Sequence, residues 1–133
     1  MKYVNIIGVL LVVFLSGASF FAQDKKIDKL EMLYDQGHYK LVFKKSTKLM
    51  TNDEYKDHPS AIVFHALAEY QLSRFNKKFS SSNAIYDYEK FMGIDTTHYF
   101  QQAYGNYIYD MKMGIAEEIQ ELSQAGHLDK AQI

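Results

Sequence analysis

From Asp24 onward, apolar residues recur at intervals of three and four, which is the spacing of amphipathic helices. The first such stripe consists of Ile27, Leu30, Leu33 and Tyr34. It stops before Gly37, and glycine readily takes the left-handed conformation that ends a helix. A second helix is predicted over 39–50, with apolar residues on one face and lysines on the other. The pattern therefore predicts two short helices joined by a tight turn.

A third helix is predicted from Pro59, a residue suited to a first helical turn, to about Ser73. Its residues are apolar almost all round, so we expect neighbouring elements on more than one of its sides. Residues 74–82 are mostly polar and are predicted to form a loop. A fourth helix is expected over 81–92, closed by Gly93.

A fifth helix of about 25 residues is predicted, because apolar residues keep the helical spacing over 100–122. Three residues supply capping side chains for it: Asp95, Thr96 and Thr97. Gly105 and Gly114 each weaken this helix by up to about 1 kcal/mol relative to alanine, so the sequence allows a bend or break near Gly114. Gly126 then precedes the opening of a further helix at Leu128. The expected fold class is all-α, with five to six helices.

The composition agrees with this class and removes several functions. The 133 residues include seven Gly, one Pro and no Cys, which excludes collagen-like and turn-rich β architectures. Without cysteine there is no disulfide, thiolate zinc site, cysteine nucleophile or lipid-modified cysteine. With 15 basic and 16 acidic side chains the formal net charge is −1, whereas a nucleic-acid-binding domain would be strongly basic.

An uncharged, strongly apolar stretch runs from Tyr3 to Ala22, directly after Lys2. A positive start, an apolar centre and then small residues are the layout of a secretory signal peptide, here residues 1–22. Cleavage after Ala18 and cleavage after Ala22 both remain open. The alternative is an uncleaved inner-membrane anchor, because about 20 helical residues span roughly 30 Å of hydrocarbon. Export is expected in both cases, with a periplasmic or secreted protein if cleavage occurs.

Two glycine-histidine pairs share a sequence pattern. Residues 33–42 align with residues 122–131. Each segment begins with an apolar residue and has a Gly-His pair that starts four positions later. An apolar residue directly follows the histidine, and a small or branched apolar residue comes three positions after that. These segments, with Gly37 and Gly126 at the turns, resemble the turn between the two helices of a tetratricopeptide repeat. The resemblance implies antiparallel helical hairpins stacked as a short TPR-like α-solenoid over 24–133.

The same resemblance implies a protein–protein interaction scaffold, whose groove holds another protein or a peptide. Four tyrosines are candidates for contacting such a partner: Tyr70, Tyr99, Tyr107 and Tyr109. The alternative is that their rings belong to the core and only their hydroxyls reach the surface, since aromatic stripes at helical spacing usually pack. A membrane partner is expected only if the N-terminal segment is uncleaved.

Candidates for chemistry are few. His65 and Glu69, four positions apart, share a helix face, but a metal site needs at least three protein ligands and no second such pair occurs. The simpler interpretation is a hydrogen-bonded pair on the helix surface. Residues 80–82 are serines without the glycine elbow of a serine nucleophile, and no phosphate-binding glycine loop is present. We therefore predict a non-enzymatic protein with no metal and no cofactor.

The lysine face of the second helix consists of Lys40, Lys44, Lys45 and Lys48. Such a face can contact an anionic surface or an acidic partner, and it can equally be the solvated side of an amphipathic helix.

Two functional hypotheses follow. The first is an exported TPR-like adaptor that binds another protein. The second is the N-terminal helical portion of a larger exported or membrane-associated protein, because residues 128–133 would leave apolar side chains without the polar capping helix that usually ends such arrays.

Overall fold

The computed structural model describes residues 24–126, which contain six helices and no strand. The helices are α1 (Lys25–Asp35), α2 (Tyr39–Met50), α3 (Pro59–Ser73), α4 (Ser81–Ile94), α5 (Tyr99–Ala103) and α6 (Gly105–Gln124). The all-α prediction is confirmed for this part of the chain. The predicted signal segment and the helix predicted to open at Leu128 lie outside the described residues.

Glycine makes the turn between α1 and α2. Gly37 has φ +77°, and its backbone N–H donates to the carbonyl of Tyr34 at 2.9 Å. The N–H of His38 donates to the carbonyl of Leu33 at 2.9 Å, which completes the hydrogen-bond pattern of a Schellman motif. Gly126, which follows α6, has φ +78°. Gly37 therefore has the left-handed backbone that the sequence predicted, and Gly126, named as a turn glycine through the resemblance, has the same conformation.

α3 is the central helix of the described chain. Ten of its 15 residues are buried, and it packs against α1, α2, α4 and α6. Phe64, Ile62 and Leu67 are fully buried, and removing such a side chain from water contributes about 1.5–3 kcal/mol. The prediction of a helix with neighbours on more than one side is confirmed.

The single helix predicted over 100–122 is instead two helices, α5 and α6, which meet at Tyr104. Of the three residues predicted to cap this region, Asp95 does so: its buried carboxylate accepts the backbone N–H groups of Phe100 and Gln101 at 3.3 and 2.8 Å. The N-cap position itself is His98, with φ 60° and no side-chain capping bond, and neither Thr96 nor Thr97 is seen to cap α5. The Tyr104 hydroxyl lies 3.0 Å from that of Ser60 at the start of α3. These two contacts tie the start of α5 to Asp95 and its end to α3.

α6 continues through Gly114, where the sequence allowed a bend. The ring of Tyr70 lies directly over this glycine, and a Cβ built there would overlap the tyrosine hydroxyl and come within 2.6 Å of Cζ. α4 likewise continues past Gly93, which was predicted to close it, and ends at Ile94. Gly114 therefore permits close packing of α3 and α6 and does not interrupt α6. Among residues 24–126, no helix combines the length and apolar character needed to cross a bilayer.

Candidate functional site

α1 carries its two kinds of charge on separate flanks. Because a helix turns about 100° per residue, residues spaced by four, three and four form one acidic stripe: Asp24, Asp28, Glu31 and Asp35. Lysines occupy the other flank: Lys25, Lys26 and Lys29. Among residues 24–126, no lysine or arginine nitrogen lies within 4.0 Å of a carboxylate oxygen. The two contacts of that kind found there are both made by histidine rings. The acidic stripe therefore keeps its mutual repulsion, worth about 0.2–0.5 kcal/mol per neighbouring pair on a helix.

The acidic stripe borders a groove of about 730 Å³ between α1, the segment 51–58, the start of α3, and α5. Four carboxylate residues line this acidic groove: Asp24, Asp28, Glu31 and Glu54. Four aromatic residues face them: Tyr55, Tyr99, Phe100 and Tyr104. None of the described residues that line the groove is a lysine or an arginine. The groove therefore combines negative charge with aromatic surface.

One end of the groove is built around Asp24. The hydroxyl of Tyr55 donates to Asp24 Oδ1 at 3.2 Å, and His58 Nε2 lies 3.9 Å from Asp24 Oδ2. Burial lowers the pKa of His58, and the nearby Asp24 carboxylate opposes that shift only in part. At neutral pH His58 is therefore an uncharged lining residue, and it adds no positive charge to the groove.

The other end of the groove is built around Glu31. Burial raises the pKa of its carboxyl, and repulsion from Asp35 and Asp28 raises it further. Burial also raises the pKa of Tyr104, with Glu31 and Asp28 adding to the shift. Beyond this end the Tyr107 hydroxyl donates to Asp35, and burial together with this bond raises the pKa of Tyr107. A positively charged ligand in the groove would relieve the repulsion that these shifts report.

The four tyrosines proposed from the sequence lie in different surroundings. Tyr99 is 57% exposed and lines the acidic groove, with its ring 5.0 Å from that of Phe100. Tyr107 is half-buried beyond the end of the groove. Tyr70 is buried against α6, and Tyr109 is 63% exposed on α6 outside the groove. Tyr99 therefore lines the acidic groove, whereas Tyr70, Tyr107 and Tyr109 lie outside it.

Sequence reasoning missed most of the groove. Its aromatic lining comes from two parts of the chain that are far apart in the sequence: Tyr55, and the segment 99–104 that contributes Phe100 and Tyr104. The carboxylates of α1 did carry a signal, because the spacing from Asp24 through Glu31 places them on one flank of a helix.

His65 and Glu69, the pair considered for metal binding, do not bond to each other. His65 Nδ1 lies 2.6 Å from Asp87 Oδ2, and its Nε2 lies 3.1 Å from the hydroxyl oxygen of Thr47. Glu69 accepts the backbone N–H of Ser80 at 3.1 Å. The interpretation as a surface pair was therefore wrong, because both side chains join α3 to its neighbours. Within the described part of the chain, no group of three or more potential ligands is placed to hold a metal ion.

The chain Thr47–His65–Asp87 has the hydroxyl, imidazole and carboxylate order of a hydrolytic triad. However, the Thr47 hydroxyl donates to the backbone carbonyl of Phe43 at 2.7 Å, one helical turn back. The imidazole therefore does not receive that hydrogen, and the His65 ring stacks on Phe43 with centroids 4.5 Å apart. This geometry is that of a structural link between α2, α3 and α4.

Comparison with protein-family models, with curated proteins and with solved structures finds no match to this chain. The acidic groove is therefore the basis for assigning a function.

Proposed function

We propose that this protein is an exported, non-enzymatic protein-interaction domain of TPR-like type, whose acidic groove binds a cationic, extended peptide segment of another protein. The observation that carries the proposal is the convergence of four carboxylates and four aromatic rings in one groove without a lining lysine or arginine. Carboxylates attract lysine and arginine side chains, and aromatic faces hold the same cations and their aliphatic stems. Export rests on the apolar, signal-like stretch that ends at Ala22.

The order of helix contacts supports the TPR-like arrangement. α1 packs against α2 and α3, α2 packs against α3, and α3 packs against α4 and α6. This is the neighbour order of stacked hairpins in which α1, α3 and α6 are the first helices, to which the Tyr107–Asp35 hydrogen bond adds a direct contact between α1 and α6. Contact between α4 and α6 is sparser: the Ser81 hydroxyl donates to Glu118 at 3.1 Å, and Lys112 lies 6.0 Å from the ring centre of Tyr88. The acidic groove opens beside α1 and α3, where a TPR-like scaffold binds its partner.

The spacing of the carboxylates indicates which peptides fit. From Asp24 to Glu31 the helix rises about 10 Å, which equals about three residues of an extended chain. Side chains of an extended peptide point to the same side at every second residue, about 7 Å apart. Asp24 and Asp28 are about 6 Å apart along the helix axis, so we expect basic residues at alternate peptide positions.

Fluorescence anisotropy with a labelled peptide of alternating arginine and glycine tests the proposal directly. We expect binding that weakens with added salt, and no binding of the matching glutamate and glycine peptide. The double variant Asp28→Asn with Glu31→Gln should bind the basic peptide about tenfold more weakly, since exposed charge pairs are worth up to about 1 kcal/mol each.

The matched control removes two carboxylates elsewhere. Glu117→Gln with Glu121→Gln changes the net charge equally on an exposed part of α6, and it should leave peptide affinity unchanged. Tyr99→Ala should weaken peptide binding without altering the melting temperature, because this ring is exposed. Equal loss of affinity in the control and groove variants would assign the effect to net charge and contradict a site in the groove.

A further inference from the structure

A second groove lies on the opposite flank of α1, between α1 and α2. It encloses about 470 Å³, and lysine side chains from both helices line it: Lys26, Lys29, Lys45 and Lys48. Thr51 and Asn52 add polar surface, and no carboxylate is among the described residues that line it. The structure thus joins two lysines of the predicted α2 face to two lysines of α1. We refer to this feature as the lysine groove.

We propose that the lysine groove docks the protein onto an anionic phospholipid surface by receiving headgroup phosphates. A lysine ammonium group is a compact positive charge with three hydrogen-bond donors, which suits a phosphate oxygen approached from several sides. All four lysines are exposed, so their ammonium groups can reach a surface outside the protein. The two grooves share no lining residue, although the Lys26 ammonium lies 5.4 Å from the ring centre of Tyr55 in the acidic groove. Lysine contacts with phosphate do not require a bound peptide, so the inference does not depend on peptide binding.

The position of the apolar N-terminal stretch favours a membrane over a soluble phosphate compound. That stretch ends at Ala22, four residues before Lys26. In the uncleaved-anchor alternative that stretch stays in the bilayer. An extended chain covers at most about 3.5 Å per residue, so the retained stretch keeps Lys26 within about 14 Å of the bilayer's edge. A soluble ligand would gain nothing from this proximity. Attraction to anionic headgroups falls off within about 8–10 Å, a distance that lies within the reach of the tether of about 14 Å.

The separation of charge on α1 then sets one orientation. If lysines face the headgroups, the acidic stripe of α1 lies on the flank turned away from the anionic surface. The reverse orientation would place Asp24, Asp28 and Glu31 against phosphates and would be repelled. Docking through the lysine groove therefore leaves the acidic groove open to solvent.

Vesicle co-sedimentation of the full chain tests this inference. Vesicles of phosphatidylglycerol with phosphatidylcholine provide the anionic surface, and pure phosphatidylcholine vesicles report any insertion of the apolar stretch alone. We expect stronger binding to the anionic vesicles, lost at high salt. Each lysine near an anionic surface raises binding about fivefold, so Lys45→Gln with Lys48→Gln should lower anionic binding about 25-fold and leave phosphatidylcholine binding unchanged.

The matched control is Lys77→Gln with Lys78→Gln, two exposed lysines of the loop before α4. It should keep anionic binding within about twofold of the parent protein, and circular dichroism should show all variants folded. Equal binding to both vesicle types, or equal loss in both double variants, would overturn the proposal. Titration with inorganic pyrophosphate and with an acidic peptide tests for other occupants of the lysine groove. The proposal would also be overturned if either compound bound in a way that requires Lys45 and Lys48 while the protein showed no preference for anionic vesicles.

Discussion

The pKa of Glu31 reflects its partial burial and the crowding of negative charge beside the acidic groove. Its folded-state pKa lies above the unfolded value of 4.5, because it is partly buried and faces Asp35 and Asp28. The folded protein therefore binds this proton more tightly than the unfolded chain, so the free energy of unfolding falls as pH rises through the raised pKa. At neutral pH, ionised Glu31 destabilises the fold.

We expect Glu31→Gln to raise the free energy of unfolding at pH 7, by less than about 1 kcal/mol since the carboxyl is largely solvated. The gain should shrink between pH 7 and pH 4.5, where the parent carboxyl becomes protonated. Urea unfolding at both pH values measures this. Glu121→Gln, an exposed carboxyl on α6, should change neither value. A destabilised Glu31→Gln variant would mean that the carboxylate makes a favourable contact in the folded state.

Two glycines differ in how far the sequence alone predicts their structural roles. Gly37 follows the last residue of an apolar stripe, and that local position was enough to predict its left-handed turn. Gly114 lies inside a helix, and local reasoning assigned it a possible bend. Its role depends on Tyr70, which is 44 residues away in the sequence and approaches only when α3 and α6 pack. A contact between residues that are far apart in the sequence produces no local sequence pattern from which it could be predicted.

At the scale of helices, apolar spacing predicted the number and limits of the first four well. α1, α2 and α3 agree closely with the predicted segments, because Gly37 follows the end of α1 and Pro59 begins α3. The division between α5 and α6 was missed because spacing continues unbroken through Tyr104. At that division Tyr104 departs from helical backbone angles, with φ −107° and ψ 21°, and its hydroxyl lies 3.0 Å from that of Ser60, which is 44 residues away in the sequence.

The link between α2, α3 and α4 gives a prediction at this scale. His65 and Asp87 are largely buried, and their bond joins the central helix to α4. Asp87→Asn keeps the shape but removes the negative charge, so the bond to His65 loses its charge-assisted strength. We expect the free energy of unfolding to fall by about 1 kcal/mol, measured by urea unfolding. Glu89→Gln, an exposed change on the same helix, should have no effect, and equal stability of the two variants would show that the link contributes nothing.

For the whole molecule, sequence reasoning reached the fold class but only one aromatic residue of the acidic groove. Tyr99 was named in advance, whereas Tyr55 and Tyr104 come from segments that no repeat pattern connects. The groove forms where α1, the segment 51–58, the start of α3, and α5 meet, and α3 contacts both α1 and α6. Its integrity is therefore a property of the assembled core and not of any one helix.

Phe64 provides the test of this dependence on α3. Its ring is fully buried and lies 5.9 Å from that of Tyr34 in α1, 4.9 Å from that of Tyr104 and 6.0 Å from that of Tyr107 in α6. Phe64→Ala should cost about 3–5 kcal/mol, a large share of the 5–15 kcal/mol typical of a domain.

Because the ring joins three helices, the loss should lower the melting temperature of the whole domain. Far-ultraviolet circular dichroism and tyrosine signals in the near ultraviolet should therefore melt together. Phe75→Ala removes the same ring from a site that is 79% exposed and should change stability by no more than about 0.5 kcal/mol. If the two signals separated in the Phe64→Ala variant, helices would survive without the aromatic cluster. The hairpins would then fold independently, and α3 would not be the element that holds the groove together.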